Sequence, residues 1–207
     1  DLGYLSFDEP FISRVNHGVI LGPDSQKMSK SRGNVVDPDV EVAKYGADAV
    51  RMYLAFMGPY EFGGPWDPKG INGVWRFLQR VWKLFERASD QRPGNDNPHV
   101  QKTFHQAIKK IGEDIEALHF NTGVSELMKL LNEIEGHKLE AESYKLFLKL
   151  LAPFAPHISE ELWHQLGHKD SIHLQPWPEY DKRLLAQQDI DMPVQVNGKV
   201  RDILTFP

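Results

Sequence analysis

The chain has 207 residues, 26% of them charged and 41% hydrophobic, which excludes collagen-like, mucin-like and wholly disordered chains and leaves room for one large or two small domains. Its net charge of −5 excludes a uniformly basic nucleic-acid coat, and the absence of cysteine removes any disulfide framework or thiolate zinc site, pointing to a reducing cytoplasm. No apolar run approaches the ~18 residues that span a bilayer, so no membrane is expected, and the start, Asp1-Leu2-Gly3-Tyr4, has neither initiator Met nor signal-peptide pattern, as if the sequence began inside a longer protein.

Phe11 to Leu21 is apolar with one polar stretch and is read as a short helix followed by a strand, ending at the turn Gly22-Pro23-Asp24. A polar, cationic loop follows from Ser25 to Asn34. Asp37-Pro38 supplies an N-cap and a proline suited to the first helical turn, so a helix is predicted to Tyr45 with Gly46 as its stop. A second helix is predicted from Ala47 to Met57, and Tyr60 to Pro68 reads as a loop between two units.

Beyond it the apolar periodicity becomes clear. Ile71, Val74, Trp75, Leu78, Val81, Trp82 and Phe85 mark one stripe of a first bundle helix. Val100, Phe104, Ala107, Ile108, Ile111, Ile115 and Leu118 mark a second helix, after the polar linker from Ser89 to Pro98. Val124, Leu127, Met128, Leu131 and Ile134 mark a third, Leu139 to Leu151 a fourth, and His157 to Leu166 a short fifth capped by Gly167. Five such helices on short connections predict an antiparallel bundle. Ile172 to Pro178 is too proline-rich for helix and is read as an extended strap, and Val194 to Val200 as two short strands around an Asn197-Gly198 type I′ turn.

Positive charge is concentrated in two islands. Lys27 to Arg32 holds three cations and no anion, and Lys69 to Arg87 holds five cations against Glu86 alone. These are where a polyanion would be met. Arg76, Arg80, Lys83 and Arg87 follow at steps of four, three and four, hence on one helix face. Lys109 and Lys110 add weaker candidates on the next helix. By composition alone both islands read as solvated surface. His164 and His168 are four apart, but Gly167 separates them, so a structural role is preferred over metal binding, and no metal site is expected. His157 is placed in the first turn of its helix, and Trp75, Trp82 and Trp163 in the core.

As a string, the first island is more specific than its composition. Lys27-Met28-Ser29-Lys30-Ser31, between a strand and a helix, resembles without mismatch the signature loop of class I aminoacyl-tRNA synthetases. Gly33-Asn34-Val35-Val36-Asp37-Pro38 and Tyr45-Gly46-Ala47-Asp48-Ala49-Val50-Arg51 resemble the subgroup that activates Leu, Ile, Val or Met. Gly58-Pro59, Trp66, Arg76 to Trp82, Asn121-Thr122, Ala152 to Trp163 and the hairpin from Val194 to Lys199 resemble the leucyl-tRNA synthetase family. Arg32 departs from the Lys that relatives often carry, with charge kept. No His-x-Gly-His nucleotide motif occurs, since His17-Gly18 lacks the rest.

The resemblance implies a mainly α chain: residues 1–60 as the end of a class I catalytic domain, 61–178 as a helical tRNA-binding bundle, and 179–207 as a linker and the start of a truncated C-terminal domain. It implies ATP-dependent activation of leucine and its transfer to tRNA(Leu) in protein biosynthesis. ATP would bind Lys27, Met28, Ser29, Lys30 and Ser31, with Mg²⁺ entering as its companion in the longer parent. Lys30, assisted by Lys27, would carry the catalytic charge and Met28 would seat the loop. Arg76, Arg80, Lys83, Arg87, Lys109 and Lys110 would meet tRNA. Such a piece, carrying half an active site, is expected to be monomeric and inactive alone. The competing expectation is a non-catalytic helical module, derived from a ligase, that binds RNA or a protein.

Overall fold

The computed structural model describes residues 3, 4, 6, 7, 11–89, 96–185, 190–196 and 199–206, with the side chains of 87–89 and 190–206 outside the description. The chain is mainly helical. Among the described residues there are eight α-helices: α1 (Pro38–Tyr45), α2 (Ala47–Phe56), α3 (Gly70–Ser89), α4 (Pro98–Glu116), α5 (Phe120–Ile134), α6 (Ala141–Leu151), α7 (Pro156–Gln165) and α8 (Lys182–Leu185). Four strands accompany them: β1 (Val19–Leu21), β2 (Gly63–Pro65), β3 (Ile190–Val196) and β4 (Lys199–Phe206).

Local chemistry sets the helix ends. The Asp37 side chain accepts from the Asp39 N–H at 3.0 Å, Pro38 opens α1, and Gly46, at φ +89°, ends it and starts α2. Asn97 caps α4 by accepting from the Val100 N–H at 2.9 Å. Gly167, at φ +93°, follows α7.

Two expectations for the N-terminal part are corrected. No helix forms between Phe11 and Gly18. The Gly18 N–H donates instead to the Tyr60 carbonyl at 2.7 Å, holding the chain extended as it enters β1. The stretch from Tyr60 to Pro68 is not loop throughout, because Gly63–Pro65 pairs parallel with Val19–Leu21. Gly-Gly-Pro has no intrinsic strand preference and pairs because glycine permits the approach: a Cβ on Gly63 would lie 2.4 Å from the Val19 carbonyl oxygen.

The core runs continuously from Ala49 to Ile172. α4 packs along α5, α2 rests on both α3 and α5, and α7 lies against α2, α3 and α6. Tyr53 of α2 anchors the start of α3: its hydroxyl donates to the Asp67 carbonyl at 3.1 Å and accepts from the Asp67 N–H at 2.9 Å, while its ring meets Trp66 edge-on at 4.9 Å. The buried stripe of α3 is Ile71, Val74, Phe77, Leu78, Val81, Leu84 and Phe85. Trp75 and Trp82 are therefore corrected from core to half-buried positions. Both lie on one shoulder of the stripe, and Phe77 and Leu84 on the other shoulder take the core instead.

Trp163 is buried as expected, with His168 stacked on its ring at 3.8 Å. His157 occupies the first turn of α7. The strap includes a single 3₁₀ turn at Ile172–Leu174, whose Ile172 is buried. α8 was not legible in the sequence. β3 and β4 pair antiparallel over longer runs than expected, and the Asn197-Gly198 turn lies outside the described residues.

Candidate ATP-phosphate loop and basic helix face

The loop from Ser25 to Asn34 leaves β1 and enters α1. Its ends are tied by the Gly22 N–H donating to the Gln26 carbonyl at 2.8 Å and by an isolated bridge between Leu21 and Lys27. Asn34 holds the interior together. Its Oδ1 accepts from the Ser29 N–H at 2.8 Å, and its Nδ2 donates to both Asp24 carboxylate oxygens, at 2.9 and 3.0 Å, and to the Lys27 carbonyl at 3.3 Å. The Asn34 hydrogen bond, with the Gln26 N–H, holds the Asp24 carboxyl below the usual aspartate range. In the sequence Asp24 is marked only as a turn residue and Asn34 only as the end of the loop and part of a motif. Their pairing across ten residues leaves no periodic signal.

On this frame Lys30, Ser31 and Arg32 form a 3₁₀ turn closed by the Gly33 N–H onto the Lys30 carbonyl at 3.2 Å, with Gly33 at φ +67°. Such left-handed backbone favours glycine. The Ser29 and Ser31 hydroxyls lie 2.8 Å apart. Lys27 and Lys30 are exposed, and among the described residues no carboxylate lies within ion-pair distance of either. Met28 is half-buried against the core. The structure thus brings Lys27, Lys30, Ser29 and Ser31 onto one small frame: two unneutralised ammonium groups beside two hydroxyls, a donor set that matches a polyphosphate.

The basic face of α3 is less uniform. Arg80 is engaged within the protein, its Nε donating to Glu135 Oε2 at 3.0 Å and its Nη2 to Asn132 Oδ1 at 2.7 Å. Arg76 donates to its own helix at the Asn72 carbonyl, 3.3 Å away. Lys83 is exposed with no carboxylate partner among the described residues, and the Arg87 side chain lies outside them. On α4, Lys109 pairs with Glu113 at 2.8 Å and Lys110 with Asp114 at 2.5 Å. Both lysines are therefore partly neutralised, and α3 presents the freer cations.

Between these two regions Asp48, buried in the first turn of α2, receives the start of α7. Its carboxylate accepts from the backbone N–H groups of His157 at 3.3 Å and Ile158 at 2.7 Å, and its Oδ1 lies 2.7 Å from His157 Nδ1. α2 is thereby fastened to the start of α7. His164 pairs with Glu160 at 3.2 Å.

Residues 99–207 match the family described as anticodon-binding domain of tRNA ligase, and residues 4–61 match class I tRNA synthetases of the I, L, M and V group. The leucine–tRNA ligase of Herpetosiphon aurantiacus is 47% identical over 97% of this chain, which covers 26% of that protein. That of Leptospira biflexa serovar Patoc is 46% identical over 100% of this chain and 24% of its own length. The chain spans about a quarter of the length of these relatives. Among solved structures, a LeuRS of Agrobacterium radiobacter K84 in a ternary complex with tRNA and LeuAMS superposes with a TM-score of 0.82 and 38% identity, over 100% of this chain and 29% of that one. The methionyl-tRNA synthetase of Mycobacterium tuberculosis with methionyl-adenylate shares the fold over 70% of this chain and 36% of its own, with a TM-score of 0.56 and 18% identity. The chain belongs to the class I tRNA ligases that carry this anticodon-binding domain, and its relatives among them are leucine–tRNA ligases.

Proposed function

We propose that this chain is the segment of a leucine–tRNA ligase that supplies the loop for the ATP phosphates and a tRNA-binding bundle of antiparallel helices. The observation that carries the reading is the pair of unneutralised lysines, Lys27 and Lys30, held on a frame that Asn34 and Asp24 organise. In the reaction an oxygen of the leucine carboxylate attacks the α-phosphorus of ATP, the bond from that phosphorus to the bridging oxygen breaks, and pyrophosphate leaves with the electron pair. Lys30, with Lys27 beside it, meets the negative charge that grows on the departing pyrophosphate. A cation brought closer by loop closure stabilises the transition state more than the ground state, which is what raises the rate.

Ser29 and Ser31 donate to phosphate oxygens, and Met28 holds the loop's floor. The outward groups of the loop are cations and hydroxyls while Asp24 is turned to Asn34, so the loop fits the phosphates of the nucleotide rather than Mg²⁺, which would arrive with ATP as substrate. tRNA(Leu) lies along the freer cations of α3, Arg76 and Lys83, with Arg80, Arg87, Lys109 and Lys110 as outer contacts. The unit boundaries proposed are 1–60, 61–178 and 179–207, in a monomeric cytoplasmic enzyme.

Leucine-dependent exchange between ATP and pyrophosphate tests the reading. An enzyme containing this segment exchanges, and the 207-residue chain alone does not, since it holds only one side of the nucleotide site. Exchange by the isolated chain would overturn the division of labour.

A further inference from the structure

A cavity of about 390 Å³ opens between the junction of α1 and α2, one shoulder of α3, and the start of α7. It stands at the smaller end of ligand pockets, ~300–1,000 Å³. Its walls include Trp75 and Trp82, which pack against the edge of the core without being fully buried, and Tyr45, whose ring meets Trp75 edge-on at 6.4 Å. Trp82 is fixed in plane by its indole N–H donating to Glu86 Oε1 at 2.8 Å. The part of each indole that the core leaves uncovered faces this cavity and suits a flat, apolar partner.

The polar groups of the cavity are few. Gln79 lies between the tryptophans, four residues after Trp75 and three before Trp82, and its amide has no partner among the described residues. His157 has its Nδ1 committed to Asp48 at 2.7 Å, which leaves Nε2 facing outward from an exposed ring. A primary amide offering a donor and an acceptor side by side, beside aromatic faces, matches the edge and the plane of a nucleobase. Arg76 precedes Gln79 by three residues and Lys83 follows it by four, so cations rim the same wall. Charge complementarity therefore favours an RNA over an apolar protein segment, because the chain that covers the tryptophans must pass those cations.

We propose that this cavity is a subsite for one unpaired base of a bound RNA, stacked on Trp75 and Trp82 and held at its edge by Gln79, with the adjoining phosphates on Arg76 and Lys83. The proposal rests on the tRNA reading given above and deepens it. The backbone contacts supply affinity without sequence preference, and the cavity supplies a local preference for a base free of its helix.

The test uses a single-stranded RNA hexamer carrying one central 2-aminopurine, titrated with the 207-residue chain, alongside filter binding of a tRNA(Leu) transcript. Stacking in the cavity quenches the 2-aminopurine fluorescence. Trp75→Leu and Trp82→Leu abolish the quench and weaken hexamer binding roughly ten-fold, within the range reported for losing one base–aromatic stack. Gln79→Ala, which removes no packing, weakens binding several-fold, so the proposal stays testable if a tryptophan variant does not fold. Lys83→Gln flattens the salt dependence and leaves the quench at saturation unchanged. tRNA binding without any quench, unaltered in the tryptophan and Gln79 variants, overturns the base subsite while the tRNA reading stands, and would leave an apolar protein segment as the cavity's occupant. Failure to bind either RNA overturns both.

Discussion

The Asp48 carboxylate and the first turn of α7 meet across 109 residues of sequence, Asp48 Oδ1 lying 2.7 Å from His157 Nδ1 and both carboxylate oxygens taking backbone N–H groups that the helix would otherwise leave unpaired. An α-helix begins with four N–H groups lacking intrahelical partners, and Ala155 at the cap position of α7 offers no side-chain acceptor. Asp48 acts from another helix as that missing cap, and negative charge there also suits the helix dipole.

Asp48→Ala should lower the stability of the chain by about 2 kcal/mol, since a largely buried, charged acceptor and two backbone bonds are lost together. His157→Ala should cost less than ~1 kcal/mol, because its ring is exposed and the backbone N–H bonds survive. Urea denaturation of both variants checks the order. Equal losses would mean that the imidazole contact, not the cap, holds α7 to α2.

The loop clasp carries a pH signature. Asp24 is held below its ordinary pKa of 3.8 by Asn34, so its contribution to loop order is complete above that value and is lost as pH falls through the lower, folded-state pKa. At neutral pH the clasp is intact. Asn34→Ala should return the Asp24 pKa toward its ordinary value and release the Ser29 N–H, which NMR titration of the aspartate carboxyls and amide exchange at Ser29 would show. An unchanged Asp24 titration in that variant would place the cause elsewhere.

On α3, the two central cations of the predicted stripe should behave differently. Lys83→Gln should reduce the slope of log affinity for tRNA against log salt by about 1, the loss of roughly one phosphate contact. Arg80→Gln should change that slope less and instead loosen the contact of α3 with Glu135 and Asn132 at the end of α5, by less than ~1 kcal/mol for a half-exposed pair. Binding measured from low to physiological salt for each single variant separates the two.

The stripe shows where sequence was informative and where it stopped. Steps of four and three place Arg76, Arg80 and Lys83 on one face, but which of them meets a carboxylate depends on the end of α5, 55 residues away from Arg80. The same limit hid the clasp of Asn34 with Asp24 and the cap that Asp48 gives α7. Helices were legible because α3 to α7 repeat apolar residues at helical steps, and because punctuation marks some ends, Asp37-Pro38 at the start of α1 and Gly167 after α7. β2 was not, since Gly63-Gly64-Pro65 pairs through the closeness of β1 and not through any preference of its own. The shift of Trp75 and Trp82 out of the core has a related origin. A 3.6-residue repeat fixes the centre of an apolar stripe but not which shoulder is covered, and the neighbours of α3 decided in favour of Phe77 and Leu84.

The loop was legible as a string rather than as a pattern, because its chemistry lies in lysines and serines that any solvated loop could carry. What the structure adds is the absence of neutralising carboxylates around Lys27 and Lys30 among the described residues.

The central claim, that Lys30 meets charge developing on pyrophosphate, is tested most directly by leucine-dependent ATP–pyrophosphate exchange with Lys30→Ala in the ligase containing this segment. The rate should fall by ~10²–10³, the range for losing one preorganised charge stabiliser, with the KM for leucine little changed and a smaller fall in Lys27→Ala. A Lys30→Ala enzyme with normal turnover and only weakened leucine binding would contradict the account.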